Sequence, residues 1–131
     1  MKEFSNQSLT FHLTLEDACE RGGATLILFS SVLQYLSNPH DILSETVRRG
    51  ICHVIIDRTS FWKGRRHRLT VQHTPPELGG GSYPCWLFDR ANLIEPLVKT
   101  YELSSEWRGF DDVDSDVQFH GMHFMRKPAA L

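Results

Sequence analysis

Polar side chains cluster where an apolar segment of this 131-residue chain ends. Ser30 and Ser31 follow the apolar run that starts at Leu26, and Gln34 and Tyr35 come next along the chain. At the carboxyl end of a parallel strand, side chains of these types form the wall of a cofactor or substrate pocket. Alternatively, they belong to a strand-to-helix turn in which they satisfy the local backbone.

Asp57 and Arg58 end the next apolar run, residues 51–57. A carboxylate at this position could act as a base, or it could orient a nucleophilic hydroxyl or amine of a substrate. The pair could equally form a structural ion pair that orders the segment after it. The sequence leaves both interpretations open.

A third group of candidates stands in or beside the polar segment 60–85, which is rich in glycine and proline. A connection of this length inside a compact domain is usually functional or mobile. Its candidate site residues are Arg68, Gln72, His73, Tyr83 and Trp86. Arginine and glutamine suit anionic or polar substrate groups, and His73 is a candidate general base because histidine titrates near neutrality. The alternative is a set of loop-anchoring hydrogen bonds with a tucked aromatic pair.

Other chemistries fit the sequence less well. The acidic residues within 111–116 lack the glycine and glutamate of a calcium-binding loop. His120 and His123 should point to opposite faces of a strand, so we expect no metal site. Serine, aspartate and histidine are present for a hydrolase triad, but no Gly-x-Ser-x-Gly turn surrounds Ser30 or Ser31. The basic cluster within 63–68 is short and predicts a solvated loop rather than a nucleic-acid surface.

The elements that must position these residues follow an α/β order. Strand–helix–strand succession with continuous apolar strands predicts a parallel sheet. The pattern predicts strands at 9–13, 25–32 and 51–57 and helices at 14–21, 40–49 and 89–100. Segments 101–107 and 117–125 should form a closing antiparallel hairpin.

Length and composition indicate one domain spanning residues 1–131. Hydrophobic residues make up 40% and charged residues 23% of the chain, and the formal net charge is −2, so composition alone indicates neither nucleic acid nor an anionic membrane as a partner. The three cysteines are too widely spaced for a metal knuckle, and the N-terminal residues have no apolar signal segment. We therefore expect a cytoplasmic protein with reduced cysteines.

Four sequence blocks carry a resemblance to a known family. They are Ser30-Ser-Val-Leu-Gln-Tyr-Leu, Asp57-Arg-Thr, Arg68-Leu-Thr-Val-Gln-His-Thr-Pro-Pro and Ser82-Tyr-Pro-Cys-Trp-Leu-Phe. In order and spacing they resemble a family of bacterial class I S-adenosylmethionine-dependent methyltransferases of unassigned substrate. The resemblance runs from about residue 9 to residue 127. It implies a Rossmann-like sheet with a C-terminal antiparallel hairpin, S-adenosylmethionine as cofactor, and transfer of a methyl group from a sulfonium to a nucleophile.

The N-terminal side departs from the family pattern. In such enzymes a glycine-rich turn after the first strand holds the methionine part of the cofactor, and an acidic residue after the second strand holds the ribose. Residues 9–13 would correspond to the third strand, and Thr25 stands where the fourth commonly opens with aspartate. The sequence therefore predicts a truncated methyltransferase-like domain that lacks the first two strands and carries the substrate-side half of the site.

The predicted site has three parts. The catalytic candidates are His73 and Asp57, the cofactor-side candidates are Ser30, Ser31 and Gln34, and the substrate-side candidates are Tyr35, Arg58, Arg68, Gln72, Tyr83 and Trp86. Without the glycine-rich turn we expect this chain alone to bind no S-adenosylmethionine. The alternative is a non-catalytic methyltransferase-like protein that acts in self-association or partner binding. Because strand 25–32 would present an unpaired edge, we expect a homodimer.

Overall fold

The computed structural model describes residues 4–114 and 116–130, apart from the side chains of residues 110–114. Helices and strands follow one another in an α/β order. They are α1 (Leu15–Gly22), β1 (Leu26–Ser30), α2 (Pro39–Arg48), β2 (His53–Trp62), β3 (Arg68–His73), β4 (Ser82–Leu87), α3 (Arg90–Val98), β5 (Tyr101–Asp114) and β6 (Val117–Arg126). Short 3-10 turns at Leu33–Tyr35 and Pro76–Leu78 complete the elements.

Four strands form a mixed sheet in the order β1-β2-β6-β5. Strands β1 and β2 are parallel, with Leu28 opposite Ile55, whereas β6 runs antiparallel to both β2 and β5. The predicted α/β class, the parallel pair and the closing hairpin are thereby confirmed. Strands β3 and β4 form a separate antiparallel pair.

The core lies on the sheet face that α2 and α3 cover. Alternate residues of β2 and β6, such as Val54 and Phe124, point to this face and are buried. They pack with Leu43 of α2 and with Leu93 and Leu97 of α3. On the opposite face, the β1 side chains of Leu26 and Leu28 are 48% and 55% exposed.

Helix ends follow the signals read from the sequence. The Thr14 hydroxyl accepts a hydrogen bond from the Asp17 backbone N–H at 3.1 Å, and Gly23 ends α1 in the left-handed region with φ of 59°. The Asp89 carboxylate caps α3 in the same way, accepting from the Ala91 N–H at 3.1 Å. These caps satisfy backbone groups that a helix end would otherwise leave without partners.

The strand predicted at residues 9–13 is wrong. The Asn6 side chain accepts hydrogen bonds from the backbone N–H groups of Ser8 and Leu9, and this local turn leads into an irregular segment. Phe11 and Leu13 are exposed there, with no partner strand among the described residues. An alternation of five residues forms a strand only where a neighbouring strand can pair with it.

Two further expectations about strand limits are corrected. Segment 60–85 is not a long loop, because β2 continues to Trp62 and most of the remainder forms the β3–β4 hairpin. The turn of this hairpin contains Gly79, Gly80 and Gly81, all with positive φ angles that glycine adopts readily. Asp57 and Arg58 do not end their strand either. They form a β-bulge in the middle of β2, and pairing with β6 resumes at Thr59 opposite His120.

Candidate functional site

The β2 bulge aims the Asp57 carboxylate at two hydrogen-bond donors. The Ser30 hydroxyl donates to its Oδ2 at 3.3 Å, and the Trp107 indole N–H donates to its Oδ1 at 3.0 Å. Arg58, the second bulge residue, has a φ of 48°, a conformation uncommon outside glycine. Bulges of this kind re-aim side chains next to functional sites. Trp107 was not predicted from the sequence, because its contact depends on how two distant strands pair.

The turn after β1 is tied to the same bulge through backbone and side chain. The Ser31 N–H donates to the Asp57 carbonyl at 2.9 Å, and Ser31 has a φ of 54°. Gln34 is 1% exposed, and its amide nitrogen donates to Ser31 Oγ at 3.2 Å and to the Arg58 carbonyl at 3.1 Å. Ser30, Ser31, Gln34, Asp57 and Arg58 are therefore brought together as one cluster at the carboxyl end of β1.

A cavity of about 270 Å³ opens beside this cluster. Its walls come from the 3-10 turn after β1 and from the β3–β4 hairpin, and its lining residues are Gln34, Tyr35, Leu36, Ser37, Leu69, Pro84 and Trp86. The Trp86 indole N–H donates to the Leu36 carbonyl at 3.0 Å, which fixes the ring against the turn. Of these residues, Leu36, Ser37, Leu69 and Pro84 were not predicted as site residues. Three of them are apolar, and apolar lining carries no chemical signal in a sequence.

Two tyrosines meet at the edge of this cavity. The rings of Tyr35 and Tyr83 contact edge to face with centroids 5.7 Å apart. Burial raises the pKa of the Tyr35 phenol, and the neighbouring Cys85 and Tyr83 act in the same direction. Tyr35 therefore stays a neutral phenol at physiological pH, able to donate or accept a hydrogen bond.

The remaining predicted residues lie along β3. The Arg68 guanidinium sits over the Trp62 ring, 5.7 Å from its centroid, and Gln72 pairs with Tyr83 across the hairpin. His73 ends the strand opposite Ser82; it is exposed and makes no side-chain hydrogen bond with any described residue. Within the described part of the chain, no hydrogen bond joins His73 to Asp57, so only Asp57 is held within the cluster.

A histidine pair lines a second, smaller cavity that sequence reasoning missed. This cavity measures about 160 Å³ and is shared by His40, His67 and Trp86 among others. His67 Nδ1 accepts a hydrogen bond from the Asp89 backbone N–H at 3.1 Å, and its Nε2 lies 3.5 Å from Nε2 of His40. His67 lies in the basic run 63–68, where the surrounding charges concealed its partly buried position.

Acidification is expected to destabilise the fold through His67. Burial lowers the pKa of His67, the nearby His40 lowers it further, and Asp89 opposes both. A histidine with a lower pKa in the folded state binds fewer protons when folded, so the free energy of unfolding falls as the pH drops below the unfolded value of about 6.5. Urea denaturation at about pH 7.5 and about pH 5.5 measures this loss.

The matched variants are His67→Asn and His73→Asn. Asparagine at position 67 keeps an acceptor for the Asp89 N–H but does not titrate, so the loss of stability between the two pH values should shrink. His73 is exposed, and its variant should keep the wild-type pH dependence. An unchanged pH dependence in His67→Asn would show that His67 is not the cause of the lower stability at acidic pH.

Comparison of the chain with models of protein families, with curated proteins and with solved structures finds no match. Within residues 4–114 and 116–130, no three histidine, cysteine, aspartate or glutamate side chains come together as a metal site would require. None of the helices in that part of the chain is long and apolar enough to cross a bilayer.

Proposed function

We propose that the chain supplies the acceptor-substrate half of an S-adenosylmethionine-dependent methyltransferase site. The observation that supports this most is the cavity beside the turn that leaves β1, linked to the Asp57 cluster through Gln34. Ligands of open α/β sheets bind outside the carboxyl ends of the strands. Methyl transfer depends mostly on holding the acceptor in line with the sulfonium, which is what such a cavity can contribute.

The sheet supports the same proposal. The parallel β1–β2 pair closed by the antiparallel β5–β6 hairpin agrees with the second half of a Rossmann-like methyltransferase sheet. In that arrangement the cofactor-binding strands would pair with the outer edge of β1. Ser30, Ser31 and Gln34 would then lie between the cofactor and the acceptor cavity.

In this proposal Asp57 receives the proton of the acceptor. Its two oxygens already accept hydrogen bonds from Ser30 and Trp107, which hold the carboxylate in one orientation. Each oxygen keeps a lone pair that can accept the proton of an attacking hydroxyl or amine. His73 is the alternative base, and its exposed position at the end of β3 would require it to act from the rim of the site.

The 131-residue chain is expected to give no binding heat with S-adenosylmethionine or S-adenosylhomocysteine in calorimetric titration. The reason is chemical, since no described turn from a parallel strand into a helix has the glycine-rich backbone donors that hold the methionine part of this cofactor. A polypeptide extended upstream, if the gene encodes one, should bind S-adenosylhomocysteine and transfer labelled methyl groups. A low-micromolar dissociation constant for the 131-residue chain would contradict the division of the site into two halves.

Substitutions in the extended polypeptide test whether Asp57 or His73 acts as the base. Asp57→Asn should lower the rate of methyl transfer about a hundredfold, within the range that general bases contribute. His73→Asn should leave the rate within about threefold of wild type. Failure of the extended polypeptide to bind S-adenosylhomocysteine would rule out the methyltransferase function.

The second candidate function is self-association without catalysis, and the β1 edge is the observation that favours it. Among the described strands β1 pairs only with β2, so its other edge has no strand partner. Strand β1 contains neither a charged residue nor a proline that would discourage pairing with another chain. In this function two copies would pair through β1 about a two-fold axis.

A further inference from the structure

Two histidines from neighbouring strands meet on the outer face of the sheet, which is the face opposite the core. They are His53 of β2 and His123 of β6, and the residues that alternate with them, such as Val54 and Phe124, point to the core. Nδ1 of His53 lies 3.1 Å from Nε2 of His123, and the ring centroids are 5.3 Å apart. One of these nitrogens therefore donates a hydrogen bond to the lone pair of the other.

The separation of the two nitrogens also suits a shared metal ion. An imidazole nitrogen lies about 2.0–2.1 Å from a bound zinc ion, so two of them on one ion, between a right angle and the tetrahedral angle, are about 2.9–3.4 Å apart. The 3.1 Å between His53 Nδ1 and His123 Nε2 lies within this range. Rotation of the rings turns both lone pairs toward one ion, and the hydrogen that they shared moves to the other nitrogen of its own ring.

A methionine lies beside the histidine pair. Met125 is directly opposite His53 in the β2–β6 pairing and two residues along β6 from His123, so all three side chains leave the same face of the sheet. Side chains directly opposite each other have Cβ atoms about 4.5–5.5 Å apart. The flexible thioether of Met125 can therefore reach an ion held by the two imidazoles. All three residues are only partly buried, so an ion can enter from solvent.

These ligands favour copper over zinc. Zinc is bound by histidine, cysteine and carboxylate side chains. Among the described residues no third side chain of these kinds joins His53 and His123, although Cys52 is next to His53 and Glu102 pairs with Met125 from β5. A thioether is a soft ligand that selects Cu(I), and imidazole binds copper as well.

We propose that His53, His123 and Met125 form a binding site for a monovalent copper ion on the outer face of the sheet. The ligand atoms are His53 Nδ1, His123 Nε2 and the sulfur of Met125. The proposal is independent of the methyltransferase function, because none of these residues lines the 270 Å³ cavity. The two histidines are 70 residues apart in the chain, so their pairing is visible only in the folded structure.

The probes are Cu(I), kept reduced without oxygen, and Ag(I), a redox-inert ion of the same charge. Thiols also bind these ions, so the titrations use the chain with Cys19→Ser and Cys52→Ser, which replace the two cysteines that solvent reaches. Competition with a coloured Cu(I) chelator should show one tightly bound ion per chain. Zn(II) should bind at least about tenfold more weakly than Cu(I), since it gains little from the thioether.

NMR with Ag(I) tests the ligands directly. The ring signals of His53 and His123 and the methyl signal of Met125 should shift as the ion binds. The methyl signal of Met122, which is buried on the core face of the same strand, should stay in place. Shifts confined to other residues would place the ion elsewhere and overturn the site.

Single substitutions in the same background measure each ligand. His123→Asn should weaken Cu(I) binding at least about a hundredfold, more than the loss of an outer-shell partner of a ligand costs. Met125→Leu should weaken Cu(I) binding about tenfold and leave Zn(II) binding unchanged, because leucine has a similar volume but no sulfur. The matched controls are His73→Asn, at an exposed histidine of β3, and Met122→Leu, and both should bind Cu(I) as the parent does.

Two results would contradict the proposal. Equal Cu(I) affinities of His123→Asn and His73→Asn would show that the histidine pair is not the site. Equal Cu(I) affinities of Met125→Leu and Met122→Leu, or Zn(II) binding as tight as that of Cu(I), would overturn the assignment to copper.

Discussion

Gly121→Ala is expected to lower the free energy of unfolding by about 2–3 kcal/mol, the sum of overpacking and a lost hydrogen bond to a charged group. Gly121 faces the β2 bulge on one side and Trp107 on the other. A Cβ atom at this position would lie 2.0 Å from Trp107 Cε2. The indole ring would have to move off β6, and its N–H would leave the Asp57 carboxylate.

The cause can be tested with a double-mutant cycle, using urea denaturation as the measurement. In a Trp107→Ala background the ring is gone, so Gly121→Ala should cost less than about 0.5 kcal/mol, and the coupling between the two positions should approach 2 kcal/mol. Gly22→Ala is the matched control, because a Cβ there meets nothing within 4 Å. Equal costs of Gly121→Ala in both backgrounds would contradict the explanation.

The packing of Trp107 over Gly121 also controls the candidate site. Because Gly121 has no side chain, Trp107 can reach across β6 from β5 and donate to Asp57 on β2. The orientation of the candidate base therefore depends on one glycine and one tryptophan that are far from Asp57 in sequence. Gly121→Ala should impair methyl transfer in the extended polypeptide in the same direction as Asp57→Asn, but by a smaller factor.

Local signals were enough to predict much of the fold. Thr14 and Asp89 cap helices by contacts within three residues, and the apolar runs of β1 and β2 predict strands, although Leu26 and Leu28 of β1 remain about half exposed. The β2 bulge could not be predicted, since it depends on the pairing of Asp57 and Arg58 with Gly121 of a strand far along the chain. The opposite error occurred at residues 9–13, where an alternating pattern predicted a strand but none of the described strands pairs with the segment.

The candidate site was likewise predictable where local signals decide it and unpredictable where the pairing of distant segments decides it. Ser30, Ser31 and Gln34 were predicted because they follow an apolar strand at the carboxyl edge where α/β sheets bind ligands, and they do contact the Asp57–Arg58 bulge. The cavity wall was not predictable, because Leu69 and Pro84 become lining residues only through the β3–β4 hairpin. Segment 60–85 was interpreted as a loop from its glycines and prolines, most of which instead lie in the turn of the β3–β4 hairpin.

A single charge on the unpaired edge of β1 is expected to decide the oligomeric state. Leu28 lies in the middle of β1, on the sheet face opposite the core, and its side chain is 55% exposed. The other edge strand, β5, carries Glu102, Glu106 and Arg108, and such charges discourage pairing between chains. We therefore expect self-association through β1 and not through β5.

Sedimentation velocity should give a species of twice the 15.1 kDa chain mass for the wild type. Leu28→Lys should weaken this dimer at least about a hundredfold, because pairing two β1 edges would bring two lysines together on a surface that must lose water. The fold itself should be unaffected, since Leu28 is outside the core cluster. Leu103→Lys makes the same change on β5, where the side chain is 41% exposed, and should leave the dimer intact. A wild-type chain that stays a 15.1 kDa monomer at high concentration would contradict the self-association of β1, and with it the second candidate function.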